Sequence, residues 1–206
     1  SVLGVLLALL VVVAFVSWLF FFRIALVQGD DMSPGLAPGA WLLVDLRAEP
    51  RRGDLLVFRA DDGNYQVRRV VALPGETVHF AKEVPVIDQT SATHELVREY
   101  KDEGRVMQVL RETLFSASYE IVNDTYRRTV VSKTYQVPQG YYVLADNREY
   151  ARDSRQYGAV AKDAVSGVAV RVLRAGDRAE GAPARGPALP GRDASSNDRA
   201  FCTASR

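Results

Sequence analysis

The sequence predicts a mostly β protein that follows one N-terminal membrane helix, and three observations support this prediction. Residues 1–22 carry no charge, and about 20 apolar residues in a helix can cross the ~30 Å hydrocarbon core of a bilayer. After this segment, short runs rich in β-branched and aromatic residues alternate with turns that contain Gly and Pro, a pattern typical of antiparallel strands. Hydrophobic residues make up 48% of the 206 residues and charged residues 25%, which indicates a folded domain.

The apolar segment is interpreted as a retained anchor that comprises residues 1–23. Trp18 and Phe20–Phe22 precede Arg23, and aromatic residues beside a positive charge suit the boundary between lipid and water. The alternative is a cleavable signal peptide, whose apolar run is normally about 7–15 residues long and ends in small residues. Because this run is longer and ends in bulky aromatics, we expect a single-pass membrane protein. No Lys or Arg precedes the run, so charge does not predict its orientation.

The strands that follow divide into a core and an insertion. Residues 24–80 and 138–173 have the strand-and-turn pattern of the core, and Leu55–Phe58 with Tyr65–Val71 read as a hairpin. Residues 81–137 are more polar and less regular. We interpret them as an inserted subdomain with its own small sheet, so that the whole fold is an anchor followed by antiparallel β-sheets.

Inside the insertion, the sequence predicts strands at Tyr119–Val122 and Arg128–Val131, separated by a turn at 123–125. A short helix around residues 94–111 is a further expectation. The last segment, residues 174–206, consists mainly of Ala, Gly, Pro, Arg, Ser and Asp. Such a segment cannot bury enough apolar surface to offset the entropy of ordering, so we expect a disordered tail.

Charge and metal-ligating residues exclude several classes of function. The formal net charge of +1 offers no basic excess for binding the phosphates of a nucleic acid. Cys202 is the only cysteine, and His79 and His94 are the only histidines. These residues are too few for a cysteine- or histidine-based metal site, and we expect neither a metal nor a cofactor.

Four blocks follow the anchor in a characteristic order. Residues 29–36 read GDDMSPGL, residues 52–58 read RGDLLVF, residues 67–76 read VRRVVALPGE, and residues 145–160 read ADNREYARDSRQYGAV. They resemble the segments G-D-S-M-x-P-T-L, R-G-D-(I/V)-V-V-F, V-K-R-V-(V/I)-G-L-P-G-(D/E) and G-D-N-R-x-x-S-x-D-S-R-x-x-G-x-V of the signal peptidase I family. With the anchor, this resemblance covers about residues 1–173.

The resemblance implies a β-rich core on the outer, periplasmic side of the cytoplasmic membrane. The family removes signal peptides from exported preproteins after small residues, and a shallow apolar groove beside the anchor accepts the extended substrate as an added strand. Its chemistry uses a Ser nucleophile that a neutral Lys activates as general base, which requires a lowered lysine pKa. A second Ser helps to orient the Lys.

This sequence departs from the family pattern at all three of these positions. Asp31 stands at the nucleophile position, Arg68 at the general-base position, and Ala151 at the base-orienting position. Arginine stays protonated in proteins and cannot act as the base, and carboxylate attack on a peptide gives an anhydride that readily reverts. We therefore interpret the chain as a catalytically degenerate member, in which Asp31 and Arg68 form a single or bidentate carboxylate–guanidinium pair.

The resemblance assigns the neighbouring residues to the substrate groove or to its support. The groove motif comprises Gly29, Asp30, Met32 and Pro34. The loops and salt links beneath the site comprise Asp146, Asn147, Arg148, Asp153, Ser154 and Arg155. Ser33 is a poor substitute nucleophile because neighbouring residues of an extended chain face opposite ways. The same argument disfavours an aspartic dyad of Asp30 and Asp31, since such dyads need facing carboxylates.

Three functions remain open at this point. The first is a non-catalytic relative that binds extended or signal-peptide-like segments, or that partners an active peptidase. The second is a working signal peptidase with an unrecognised nucleophile, and the third is an altered copy of an active enzyme. The three replaced residues favour the first over the second. Replacement by a charge-complementary pair argues against random decay.

Overall fold

The computed structural model describes residues 2–102, 104–125 and 134–175 of the chain. Within them, one long helix precedes a succession of antiparallel strands. The helices are α1 (Val2–Phe21) and the single turn α2 (Ser154–Tyr157), with a 3₁₀ turn at Lys162–Ala164. The strands are β1 (Phe22–Leu26), β2 (Trp41–Asp45), β3 (Leu55–Arg59), β4 (Tyr65–Ala72), β5 (Thr77–Ala81), β6 (Val84–Ile87), β7 (Thr90–Ser91), β8 (Thr93–Asp102), β9 (Arg105–Leu114), β10 (Ala117–Asp124), β11 (Tyr135–Gln136), β12 (Tyr142–Leu144) and β13 (Val165–Arg174).

Helix α1 confirms the predicted apolar N-terminal helix. It is long and apolar enough to cross a membrane, judged by length and composition, and none of its residues is buried. The helix ends at Phe21 and the chain enters β1 directly, so Arg23 belongs to the strand and not to the helix. The guanidinium of Arg47 lies 3.7 Å from the centre of the Phe21 ring, and the amide of Leu46 donates to the Phe21 carbonyl. These contacts join the end of the helix to the first strands.

A six-stranded sheet in the order β1-β2-β13-β3-β4-β12 forms the centre of the fold. Its pairs are antiparallel, which confirms the predicted fold class. The predicted hairpin of β3 and β4 is present, with Leu56 opposite Arg68. Both faces of β3 are buried, because Leu55 and Val57 pack into one hydrophobic cluster while Leu56 and Phe58 pack into another. This double burial explains why the strand is a continuous apolar run instead of an alternating one.

Two smaller sheets fill the chain between β4 and β12. One has the order β11-β5-β6-β7 and the other the order β10-β9-β8. Their strands lie within residues 77–136, so the predicted boundary between residues 80 and 81 falls inside β5. The first of these sheets packs its Val78 and Ile87 against Leu144 of the central sheet.

The expected helix around residues 94–111 is wrong, because β8 and β9 form a long antiparallel hairpin there. Pairing partners and a buried strand face override the helix propensity of Glu, Leu, Arg and Lys in this segment. The turn expected at 123–125 is also corrected, since Asn123 and Asp124 continue β10 and pair with β9. The predicted strand Tyr119–Val122 lies within β10. Both Arg128–Val131 and the tail beyond residue 175 lie outside the described residues.

Gly140 allows the chain to pass close to Val160, where a side chain would not fit. Its φ is +87°, and a Cβ on it would lie 2.0 Å from the Val160 carbonyl oxygen. Gly75 has a similar φ of +91° but an added Cβ would meet nothing within 4 Å. Substitution of each glycine by alanine therefore distinguishes the destabilisation caused by the backbone angle from the destabilisation caused by a steric clash.

We expect Gly140→Ala to lower the free energy of unfolding by about 3 kcal/mol and Gly75→Ala by about 1 kcal/mol, because only the first adds a clash to the left-handed backbone. Denaturant titration of both variants in detergent micelles measures the difference. Equal losses in the two variants would show that Val160 does not restrict Gly140.

Candidate functional site

A groove of about 430 Å³ opens between the end of β1 and the start of β4. It is lined by Leu26, Val27, Gln28, Gly29, Asp31, Met32, Gly63, Asn64, Tyr65, Gln66, Val67 and Arg68. Strand β12 pairs with β4 only over Arg69–Ala72. Among the described strands, residues 65–68 of β4 thus have a partner on one side alone, β3. A strand edge without a pairing partner can hydrogen-bond an extended peptide.

Asp31 and Arg68 meet at the floor of this groove. The distance between Oδ2 of Asp31 and Nη2 of Arg68 is 2.6 Å, a charge-assisted hydrogen bond. The Arg68 side chain is 4% exposed and the Asp31 side chain 40%. The contact distance is the one that the sequence-based ion-pair hypothesis requires.

The contact is single and not bidentate, because the rest of the guanidinium faces main-chain oxygens. Nε of Arg68 donates to the carbonyl of Arg152 at 2.7 Å, and Nη1 donates to the carbonyl of Val67 at 2.7 Å. Each of the three guanidinium nitrogens therefore has an acceptor. Such a group is held in one orientation and remains charged, so it can neutralise a carboxylate but cannot remove a proton from a nucleophile.

Ala151 is buried in the hydrophobic cluster that also contains Met32 and Val67. These two residues are the chain neighbours of Asp31 and Arg68. The next residue after Ala151 is Arg152, whose carbonyl accepts from Arg68. The structure thus brings the three replaced positions into one neighbourhood, although their roles were predicted from sequence alone.

The remaining residues of the groove motif lie in different environments. Gly29 and Met32 line the groove, and Met32 is buried. Asp30 is exposed, and its carbonyl accepts from the amide of Ser33 at 2.8 Å. Pro34 lies in the turn that follows, outside the groove lining. Ser33 also lies outside the lining, where its hydroxyl donates to the carbonyl of Leu36.

A buried ion pair supports the site on the other side of β4. Nε of Arg69 donates to Oδ1 of Asp146 at 2.7 Å, and Nη2 of Arg69 donates to Oδ2. Both side chains are at most 4% exposed. The residue after Asp146 is Asn147, whose amide donates to the Asp31 carbonyl at 3.0 Å. The pair therefore positions the loop that holds the main chain of Asp31.

The Asp153 carboxylate organises the loop that carries Ala151. Its Oδ2 accepts from the amide of Ala145 at 3.0 Å, and its Oδ1 caps α2 by accepting from the amide of Arg155. The Arg155 guanidinium then donates to Asp153 and to the carbonyl of Arg148. Ser154 contributes its hydroxyl oxygen, which accepts from the amide of Val143 at 2.9 Å. These contacts fasten the loop to β12 and to the Asp146–Arg148 segment.

Glu112 of the insertion is a buried partner of this support that the sequence analysis missed. Both of its carboxylate oxygens accept from Arg148, and its Oε1 also accepts from the Tyr119 hydroxyl at 2.8 Å. Nε2 of His94 lies 2.7 Å from Oε2. The alternation of residues along the strand could have revealed this role, because Glu112 lies between Leu110 and Leu114 on the buried face of β9.

Electrostatics at Glu112 favour the ionised form in spite of burial. Burial raises the pKa of this carboxyl, but the charge of Arg148 and the hydrogen bonds from His94 and Arg148 outweigh burial. The pKa of Glu112 is thereby held at about 2, below its ordinary value of 4.5. Strand β9 is thus tied to the Asp146–Arg148 segment by an ion pair that persists to low pH.

Comparisons with known proteins identify the family of the chain. The family model described as signal peptidase, peptidase S26, matches residues 2–173. The chain therefore belongs to the signal peptidase family, and the resemblance to signal peptidase I drawn from its sequence is confirmed.

Individual relatives share about a quarter of their residues with the chain. Signal peptidase I V of Bacillus subtilis (strain 168) is 27% identical over 147 residues, which are 69% of this chain and 80% of the relative. Signal peptidase I of Streptococcus pneumoniae (serotype 4) is 27% identical over 173 residues, covering 74% of this chain and 82% of the relative. A crystal structure of a signal peptidase I from Enterococcus faecalis V583 is 26% identical and aligns over 59% of this chain and 97% of its own, with a TM-score of 0.40.

The two pairs that Arg68 and Arg69 of β4 form with aspartates predict losses of different size when the carboxylate charge is removed. Asp146→Asn should lower the free energy of unfolding by about 3–5 kcal/mol, because it leaves the buried Arg69 charge uncompensated. Asp31→Asn should cost no more than about 1 kcal/mol, since its carboxylate is 40% exposed. Denaturant titration of the two variants compares them. A loss at Asp31 as large as that at Asp146 would contradict this ranking.

The ionised Glu112 predicts a pH-dependent contribution to stability. Its folded-state pKa lies below the unfolded value of 4.5, so the contribution is complete above pH 4.5 and is lost as the pH falls toward 2. The difference in unfolding free energy between the native protein and Glu112→Gln should therefore shrink by about 2 kcal/mol from pH 5 to pH 3. Denaturant titrations at the two pH values measure it, and a constant difference would show that Glu112 is not held ionised.

Proposed function

We propose that this chain is a signal peptidase relative that holds extended, signal-peptide-like segments at the membrane without cleaving them. The observation that carries the proposal is the 2.6 Å contact between Asp31 and Arg68. It occupies the two positions at which the family pattern has its nucleophile and its base.

The chemistry of the pair explains why cleavage would be lost. A peptidase of this family needs a hydroxyl nucleophile and a base that can be neutral near the working pH. Asp31 offers a carboxylate that is already engaged, and Arg68 offers a cation that does not give up its proton. Of the described residues, those that line the groove include no Ser, Thr, Cys, Lys or His. A working peptidase with another nucleophile would therefore have to recruit it from outside the groove.

The shape of the groove supports retained binding. The edge of β4 at residues 65–68 has no strand partner beyond β3, although the Val67 carbonyl already accepts from Nη1 of Arg68, so an extended segment would pair with the remaining main-chain groups of this edge. Helix α1 leads directly into β1, whose last residue lines the same groove. A segment that emerges from the membrane beside α1 would reach the groove in a few residues.

The family also supplies the setting of the proposal. Signal peptidase activity is the removal of signal peptides, and α1 is suited by length and composition to span a membrane. We place the protein in the cytoplasmic membrane as a single-pass protein with its β domain on the outer side. Its partners would be preproteins that carry signal peptides, or an active peptidase to which it presents them.

Restoring the family residues tests the proposal directly. The variant Asp31→Ser, Arg68→Lys and Ala151→Ser should cleave a preprotein with an Ala-x-Ala site, while the native protein leaves it intact. Both proteins are purified in detergent, and cleavage is followed by gel mobility and by sequencing of the new N-terminus.

A matched control carries Asp31→Ala with the same changes at Arg68 and Ala151. It should remain inactive because it has the base but lacks the nucleophile. Cleavage of the preprotein by the native protein at the expected site would refute the proposed loss of catalysis.

A further inference from the structure

The groove presents one exposed charge to any ligand, and that charge is negative. Asp31 and Arg68 are the only charged residues among its described lining. The Arg68 side chain is 4% exposed and all three of its guanidinium nitrogens have acceptors. The Asp31 side chain is 40% exposed, and the described contacts engage its Oδ2 alone. A peptide in the groove would therefore meet the second carboxylate oxygen and not the guanidinium.

Gln66 adds a second hydrogen-bond acceptor, on the strand β4 that also carries Arg68. Its Oε1 is buried without a hydrogen-bond partner among the described residues. Gln66 lies two residues before Arg68 on β4, so both side chains leave the same face of the strand about 7 Å apart. A buried acceptor without a donor is unfavourable, and a ligand donor that reaches Oε1 when the Gln66 side chain turns would remove this cost. Gln66 and Asp31 thus both favour a ligand rich in hydrogen-bond donors.

These acceptors determine which peptide side chain binds most favourably beside Asp31. A peptide carbonyl or an acidic side chain placed against Asp31 would be repelled by its carboxylate, whereas an ammonium or guanidinium would be attracted. The four-carbon stem of a lysine can also cover the apolar lining formed by Leu26, Val27 and Met32.

We infer that the groove selects extended peptides with a basic side chain at the residue that faces Asp31. This inference rests on the proposed peptide-binding function, and it names the chemical class of the bound segment. The bound peptide would lie along the open edge of β4 at residues 65–68, and its basic side chain would hydrogen-bond the free oxygen of Asp31.

The test compares three extended eight-residue peptides that differ only at one central position, which is lysine, norleucine or glutamate. All are acetylated and amidated, so that the central side chain carries the only charge and a terminal ammonium cannot replace it. Each peptide carries a fluorescent label. Binding of the labelled peptide to the native full chain in detergent is followed by fluorescence anisotropy. We expect the lysine peptide to bind about fivefold more tightly than the norleucine peptide, a preference that weakens with added salt. The glutamate peptide should bind least.

Two variants locate the preference. Asp31→Asn keeps the shape of the side chain and removes its charge, so the lysine and norleucine peptides should then bind equally. Asp163→Asn removes a charge that is more exposed than Asp31, from the 3₁₀ turn outside the groove lining, and should keep the fivefold preference. This control separates contact with Asp31 from the overall charge of the protein.

The outcomes distinguish this inference from the function on which it rests. Equal binding of the lysine and norleucine peptides to the native chain would overturn the basic preference and leave peptide binding intact. A preference that survives Asp31→Asn would also overturn it, because the selecting charge would then lie elsewhere. If none of the peptides binds, the proposed peptide-binding function fails together with the inference.

Discussion

The site depends on the alternation of two adjacent arginines along β4. Because neighbouring side chains of a strand face opposite ways, Arg68 reaches Asp31 in the groove while Arg69 reaches the buried Asp146. The second pair is buried and bidentate, but burial still raises the pKa of Asp146 above its ordinary value in spite of the Arg69 charge and hydrogen bonds. It holds the loop from which Asn147 binds the main chain of Asp31. The groove residue is therefore positioned by a pair that no ligand can touch.

The buried support and the Asp31–Arg68 pair have separate physical requirements. Arg69 with Asp146 and Arg148 with Glu112 are buried ion pairs in which both charges are needed, since removing one partner leaves the other charged in an apolar interior. Asp31 and Arg68 stand at the edge of this network, where solvent screens part of their interaction. Residues at such a position can change without loss of the fold. This difference explains how the buried ion pairs can hold the fold whichever residues stand at positions 31 and 68.

The sequence predicted correctly those elements whose structure follows from residues close together in the chain. The uncharged run of α1 and the hairpin of β3 and β4 follow from length, periodicity and turn residues. Sequence reasoning failed between residues 94 and 111, where the side chains suit a helix but β9 provides a strand partner for β8. It also missed Glu112, whose partner Arg148 lies 36 residues away. Local propensity contains no information about such distant partners, and so the polar insertion was understood least well.

The sequence by itself determined the family, the apolar helix and the antiparallel strands, and it predicted Asp31 and Arg68 at the dyad positions with Ala151 at the base-orienting position. These properties depend on composition, on order along the chain and on the chemistry of single side chains, such as the inability of Arg68 to act as a base. Only the tertiary structure decided that Arg68 meets Asp31 through one nitrogen, with its other two nitrogens on the carbonyls of Arg152 and Val67. These contacts join residues that are 37 and 84 positions apart in the chain. The packing of the β-sheets brings such distant segments together, and residue type alone does not predict it.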